Sequence, residues 1–188
     1  VTFSTESVNT IKGNFNMKAY PTNPVEYIKR WHMSDIFRYI QTHPDMDHMD
    51  GLKNLANSKL IINFWDTTNT KEQSFDEYGN CGRYKKEDWD CYQRLRKSEY
   101  NPKSLTFYDG TTAKYFAEDD NGALSDDYLK ILSPTKELIK AAEAAGDWND
   151  SSYVILYCIQ GRKLLFCGDA GMGTINHLLE HHKDDIAN

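Results

Sequence analysis

Apolar and polar residues along this chain fall into short blocks with distinct helix and strand signatures. "DIFRYIQT" and "KLIINFW" are brief β-branched and aromatic runs, and each predicts a strand. "SLTFYDG" and "YLKILSP" are two further strand candidates. "TNPVEYIKRWH" predicts a helix, with Asn23 as its N-cap, Pro24 at the first helical position and Glu26 three residues after the cap. After a polar, irregular stretch from Thr67 to Lys86, "KEDWDCYQRLRKS" predicts another helix. "SPTKELIKAAEAAG" predicts a third, with Ser133 as cap, Pro134 at its first position and Gly146 as its stop.

"YVILYCIQGRKLLFC" reads as a hairpin turning at Gly161-Arg162. That register sets Gln160 opposite Lys163, Cys158 opposite Leu165 and Cys167 opposite Leu156. The hairpin is apolar on both faces, with Val154, Leu156 and Cys158 on one and Tyr153, Ile155 and Tyr157 on the other. Strands of that kind are covered on both sides. Alternating helices and strands without internal repeats predict a layered α/β fold, with helices outside the sheet. At 188 residues the chain has one domain's length and enough material for a substantial core.

Composition narrows the picture. A net charge of -6 argues against coating nucleic acid by bulk electrostatics, while leaving room for a local cationic site made of metal ions. No apolar run has bilayer-spanning length. "VTFSTESVNTIKG" has no basic region followed by an apolar core, so it does not read as a signal peptide. The four cysteines, Cys81, Cys91, Cys158 and Cys167, form no CxxC pair. Cys158 and Cys167 share a hairpin face but sit diagonally, a poor disulfide geometry. The expectation is a cytoplasmic protein with reduced thiols.

The densest chemistry lies in "YIQTHPDMDHMDGL", Tyr39 to Leu52, directly after a buried strand. A loop at a strand end is where a rigid scaffold presents side chains. If "DHMDGLKNLAN" opens a helix, Asp47 and His48 stand near its N-terminus. Imidazole and carboxylate together suit zinc, manganese or iron, and the carboxylates favour the harder ions. Taken singly, each residue also fits a polar loop with Asp caps and surface histidines.

The spacing as a whole resembles a known signature. "THPDMDHMDG" is similar to the HxHxDHxxG motif of metallo-β-lactamase fold hydrolases, in an HxDxDHxxG form with Asp45 at the second position. That variant resembles the competence-type (ComEC) hydrolase subgroup. "DWNDSSYVILYCIQGRKLLFCGDAG" carries a second likeness: an Asn/Asp-Ser-Ser entry to a strand, a tight turn, and a strand ending in Gly168-Asp169. The resemblance runs from about Asn23 to the end and implies a metallo-β-lactamase-like αββα sandwich, residues 1–188 forming one such domain.

It also implies a site. His43 and Asp45 would bind a first divalent ion, Asp47 and His48 a second, and Asp169 both. Zinc or manganese is the expected pair, with magnesium a further candidate. Such a two-metal site supplies an activated water at neutral pH. Asp47, with Asp45, would carry the catalytic role, Asp47 orienting the nucleophile or accepting its proton. Asp45 in place of histidine weakens the inference of a pure zinc site. A further histidine common in the family is replaced here by Asn149, Asp150 and Ser151. Asn149, Ser151 and Ser152 are candidate substrate contacts, with capping or buttressing of the loop as the alternative reading of the serines. The early strand pair and a final His-bearing loop are expected to be missing at the two ends, in a segment of a larger chain or complex. His177, His181 and His182 are not taken as ligands, because Leu178 and Leu179 mark the helix's buried side.

"GRYKKEDWDCYQRLRK" bears on substrate. Arg94, Arg96 and Lys97, interleaved with aromatic residues, suit a phosphate backbone and stacked bases. Trp89, Tyr92 and Leu95 on a packed helix face are the favoured alternative. The leading expectation is a metal-dependent phosphodiesterase or nuclease acting on nucleic acid or another phosphodiester. A hydrolase of lactones or thioesters and a non-catalytic degenerate module are the other classes.

Overall fold

The structure is a computed structural model that describes residues 23–119 and 121–187. "VTFSTESVNTIKG", which carries the signal-peptide and early-strand expectations, lies outside the described residues. The protein is mixed α/β, with six α-helices and three small sheets among the described residues. It divides into two compact units that exchange chain segments. Residues 23–40, Asp45–Trp65 and Glu72–Leu105 belong to the first; Gln41–Pro44, Asp66–Lys71 and Thr106 onward belong to the second. None of the helices formed by the described residues is long and apolar enough to cross a membrane.

In the first unit, α1 (Pro24–Arg30) starts where the local code places it: the Asn23 side-chain oxygen accepts from Val25 N at 2.9 Å and Glu26 N at 3.3 Å. β1 (Ile36–Ile40) and β2 (Ile61–Trp65) pair in parallel, joined through α2 (Leu52–Ser58). The register sets Ile36 beside Ile61 and Ile40 beside Trp65. Small β3 (Asn80–Cys81) and β4 (Tyr84–Lys85) form a hairpin inside the polar stretch. α3 (Lys86–Arg96) follows, and β5 (Lys103–Leu105) completes the parallel sheet in the order β1-β2-β5.

Met46, Met49, Leu52, Phe64, Trp89, Tyr92 and Leu95 share the core of this unit. Phe64 stacks on Tyr39 at 5.3 Å between ring centres. The buried Trp89, Tyr92 and Leu95 recur every third residue along one face of α3, the packing alternative raised above.

The start of α2 depends on a distant side chain. Its N-cap residue is Gly51, at φ +83°, which has no side chain to close the helix end. The buried Asp88 carboxylate replaces that cap, accepting from Gly51 N at 3.2 Å and Lys53 N at 2.8 Å. Asp88→Ala is therefore expected to destabilise the fold by about 1–3 kcal/mol, the cost of lost cap and charge-assisted bonds. Urea unfolding of the variant beside Asp88→Asn, which keeps one acceptor, checks this. A full loss with alanine and a smaller one with asparagine is the expected pattern.

The second unit holds an antiparallel sheet of β6 (Tyr128–Ser133), β7 (Val154–Ile159) and β8 (Arg162–Phe166), in the order β6-β7-β8. Its helices are α4 (Lys136–Ala145), α5 (Met172–His181) and α6 (Lys183–Ile186). Leu132, Val154, Leu156 and Leu178 form a core cluster.

Three expectations need correction here. α4 is capped by Thr135, whose hydroxyl accepts from Leu138 N at 3.1 Å; Ser133 is instead the last residue of β6, paired with Val154. Pro134 therefore precedes the cap, and Gly146 closes the helix at φ +66° as expected. The hairpin turns on Gln160-Gly161, both at positive φ (50° and 71°), the geometry of a two-residue turn that matches strand twist. Cys158 thus faces Lys163, and Leu156 faces Leu165. Finally, β7 is covered as expected but β8, an edge strand of the described sheet, is not: Leu164, Leu165 and Phe166, on alternate faces, are 48%, 41% and 48% exposed. All four cysteines are free thiols.

Candidate metal centre

Strand β7 and the turn before it anchor the second unit's share of the signature residues. Tyr153 is fully buried. Its phenol oxygen accepts from Phe107 N at 2.9 Å and donates to Asp66 O at 3.0 Å, and its backbone N–H donates to Thr42 O at 2.9 Å. Burial pushes the phenol's pKa far up, so the hydroxyl keeps its proton for that donation. Gln41 donates from its side-chain nitrogen to His43 O at 2.8 Å, and the Thr42 hydroxyl lies 3.2 Å from His43 Nδ1. His43 is thereby held, fully buried, in the segment that Tyr153 pins.

Asp169 is placed by the residue before it. Gly168 has φ +54°, and a Cβ there would lie 3.1 Å from Ser152 Cβ, Ser152 Oγ and Thr42 Cβ. Asp169 N in turn donates to Ser152 Oγ at 3.3 Å. The consequence is that His43 and the exposed Asp169, far apart in sequence, each bring a ligand atom within 4.8 Å of the other.

The first unit holds Asp45, Asp47 and His48. The expected helix does not begin at these residues; Met46–His48 form a 3-10 turn with Asp45 at its N-cap position, and α2 starts only at Leu52. The shift has a packing cause. Met46 and Met49, three residues apart, bury one side of the turn, which leaves Asp45, Asp47 and His48 half-buried. His48 Nε2 lies 3.7 Å from Asp47 Oδ2.

Ser151 and Ser152 are fully buried. Ser151 Oγ donates to Trp148 O at 2.6 Å, and Ser152 Oγ serves Asp169 N, so both serines buttress the loop. Asn149 starts the 3-10 turn Asn149–Ser151, and its N–H donates to the Asp147 carboxylate at 3.1 Å. Asp150, between them, has a role the sequence did not reveal. Its carboxylate accepts from Gly173 N at 3.1 Å and Thr174 N at 2.7 Å, capping α5. A Cβ at Gly171 or Gly173 would lie 2.8 Å or 2.7 Å from that carboxylate, which explains the glycines of "GDAGMG".

On α3, Arg94 and Lys97 are exposed and Arg96 is half-buried, its guanidinium 5.0 Å from the centre of the Tyr92 ring. The aromatic residues interleaved with them, Trp89 and Tyr92, are buried, so stacking of bases on those rings is excluded by packing.

A second cluster corrects the reading of the C-terminal histidines. Leu178 is buried but Leu179 is 57% exposed, so the helix turns a different face inward than expected. His177 and His182 instead converge on Asp109, while His181 stays exposed. The chain matches no family model, and no curated protein or solved structure proved similar to it. Imidazole with several carboxylates is a donor set that fits zinc, manganese or magnesium.

Proposed function

We propose that this protein is a metal-dependent hydrolase of phosphodiesters, a nuclease in the first instance, built on a metallo-β-lactamase-like αββα plan. The observation that carries this reading is the approach of His43 and Asp169 within the second unit, since the two come from separate motifs. In this reading, which follows the resemblance, His43 and Asp45 would hold one divalent ion, Asp47 and His48 another, and Asp169 would serve both. The ions supply Lewis acidity and an activated water at neutral pH. Asp47 orients the attacking water and takes up its proton on a carboxylate oxygen. Asp45 adds an oxygen ligand, which favours manganese or magnesium and phosphate chemistry. Tyr153 and Ser152 position the flanking backbone of His43 and Asp169.

Arg94, Arg96 and Lys97 offer the substrate backbone positive charge in an otherwise acidic protein. The test incubates manganese- and zinc-loaded protein with single- and double-stranded DNA and RNA, a small phosphodiester, a lactone and a thioester. Nucleic-acid cleavage that falls steeply with salt is expected. Changing the three basic residues to glutamate should weaken it at least tenfold, flatten the salt slope by about 2–3, and spare the small phosphodiester. Turnover of a lactone or thioester without phosphodiester cleavage would replace this reading with the other ester class. No turnover of any substrate by metal-loaded protein would leave the non-catalytic module.

A further inference from the structure

The second cluster carries an inference independent of the hydrolase reading. Asp109 lies in a loop tied to β6 and its exit, with Asp109 N donating to Pro134 O at 2.9 Å and Gly110 N to Ile131 O at 3.2 Å. His177 lies in the C-terminal half of α5, and His182 is its C-cap. His177 Nε2 is 2.9 Å from Asp109 Oδ2, and His182 Nε2 is 2.8 Å from Asp109 Oδ1. The three side chains are only 14–19% exposed.

A further carboxylate stands behind His182. Asp185 Oδ2 lies 3.3 Å from His182 Nδ1, and Asp185 Oδ1 lies 2.5 Å from Lys130 Nζ. The Asp185 carboxylate faces Nδ1, so the tautomer of His182 with its hydrogen on Nδ1 suits this contact. That tautomer leaves Nε2 as an electron-pair donor on the side of the Asp109 carboxylate. Both atoms are buried, and their close approach lacks hydrogen-bond alignment; neither has another hydrogen-bond partner. An imidazole nitrogen and a carboxylate oxygen left without a hydrogen bond are two donors that one metal ion can satisfy.

We propose that Asp109, His177 and His182 bind one divalent transition-metal ion of the zinc class. Two imidazole nitrogens and one carboxylate oxygen are borderline ligands suited to that ion, and water can take a fourth tetrahedral position. The ligand atoms already lie within 4.8 Å of one another. Tetrahedral zinc needs ligand atoms about 3.3 Å apart, so each imidazole–carboxylate approach would lengthen by about half an ångström. Asp185 is the carboxylate that orients a ligating histidine from behind, an arrangement typical of such sites. The ion would clamp the α5–α6 junction to the loop of Asp109.

The experiment uses the full chain, stripped of metal and titrated with cobalt(II) as a spectroscopic stand-in for zinc, in an Asp169→Ala background. That background removes the bridging carboxylate of the proposed hydrolytic site, so the two readings can fail separately. One cobalt per chain with the strong visible absorption of tetrahedral coordination is expected, and zinc should raise Tm by about 3 °C or more. Adding Asp109→Asn should weaken binding at least about 100-fold and abolish the absorption; adding His182→Ala should do the same, and His181→Ala should do neither. Circular dichroism of each variant separates lost binding from lost fold. Folded Asp109→Asn and His182→Ala proteins that take up cobalt like their parent would overturn the site. So would a folded parent protein that binds no cobalt.

Discussion

Asp169→Ala is expected to reduce hydrolysis by about 10³-fold or more while leaving the fold in place. A loss of that size corresponds to about 4 kcal/mol of transition-state stabilisation. The two effects separate because of how Asp169 is held. Its side chain is exposed, and what fixes its position is its backbone N–H on Ser152 Oγ together with the turn at Gly168, neither of which alanine removes. Stability in urea should therefore change by less than about 1 kcal/mol. Two dications held near each other repel, and the bridging carboxylate offsets that repulsion, so metal content should fall along with activity. Asp169→Asn keeps the shape but not the charge and should behave like alanine in both assays. Full activity in a folded Asp169→Ala protein would refute the assignment of Gly168-Asp169 as the second motif.

Local signals were the legible part of this chain. Asn23 with Pro24 located the start of α1, and the β-branched runs located β1 and β2, because both depend on neighbours in sequence. Ser133, Pro134 and Thr135 show the limit. Two of them are good caps, and pairing of Ser133 with Val154, a tertiary contact, decided that the strand runs on and Thr135 caps. The hairpin slipped by one residue for a related reason: Gln160 adopts a left-handed conformation that only its glycine neighbour advertises. An edge strand such as β8 has the same apolar pattern as a central one, so its exposure was not written locally.

The candidate site divides along the same line. The spacing of His43, Asp45, Asp47 and His48 is local, whereas the supports around the candidate residues are not. Asp88 capping α2, Asp150 capping α5, and Asp109 meeting His177 and His182 all join residues remote in sequence. One signal was available: glycines at 171 and 173 at the start of a helix, where helix formers are favoured, suggest close approach of another group.

Gly168→Val should do what Asp169→Ala does not, removing metal binding and stability together. Gly168 sits at φ +54°, where a β-branched residue is strained by about 1–3 kcal/mol. Its missing side chain is also required by space, since even a Cβ would press on Ser152 and on Thr42 at 3.1 Å. Relieving those contacts costs about a further 1–3 kcal/mol in a packed region. The expected loss is thus about 2–6 kcal/mol, a large part of the stability of an ordinary domain. The displaced groups are the ones that position the proposed ligands: Ser152 Oγ receives Asp169 N, and Thr42 precedes His43 and touches its Nδ1. Gly168→Ala should show the same effects at reduced size, because alanine tolerates positive φ better than valine and adds only the Cβ. Urea unfolding with metal analysis on both variants reads the two effects side by side. A stable Gly168→Val protein with wild-type metal content would mean that this glycine does not set the position of Asp169.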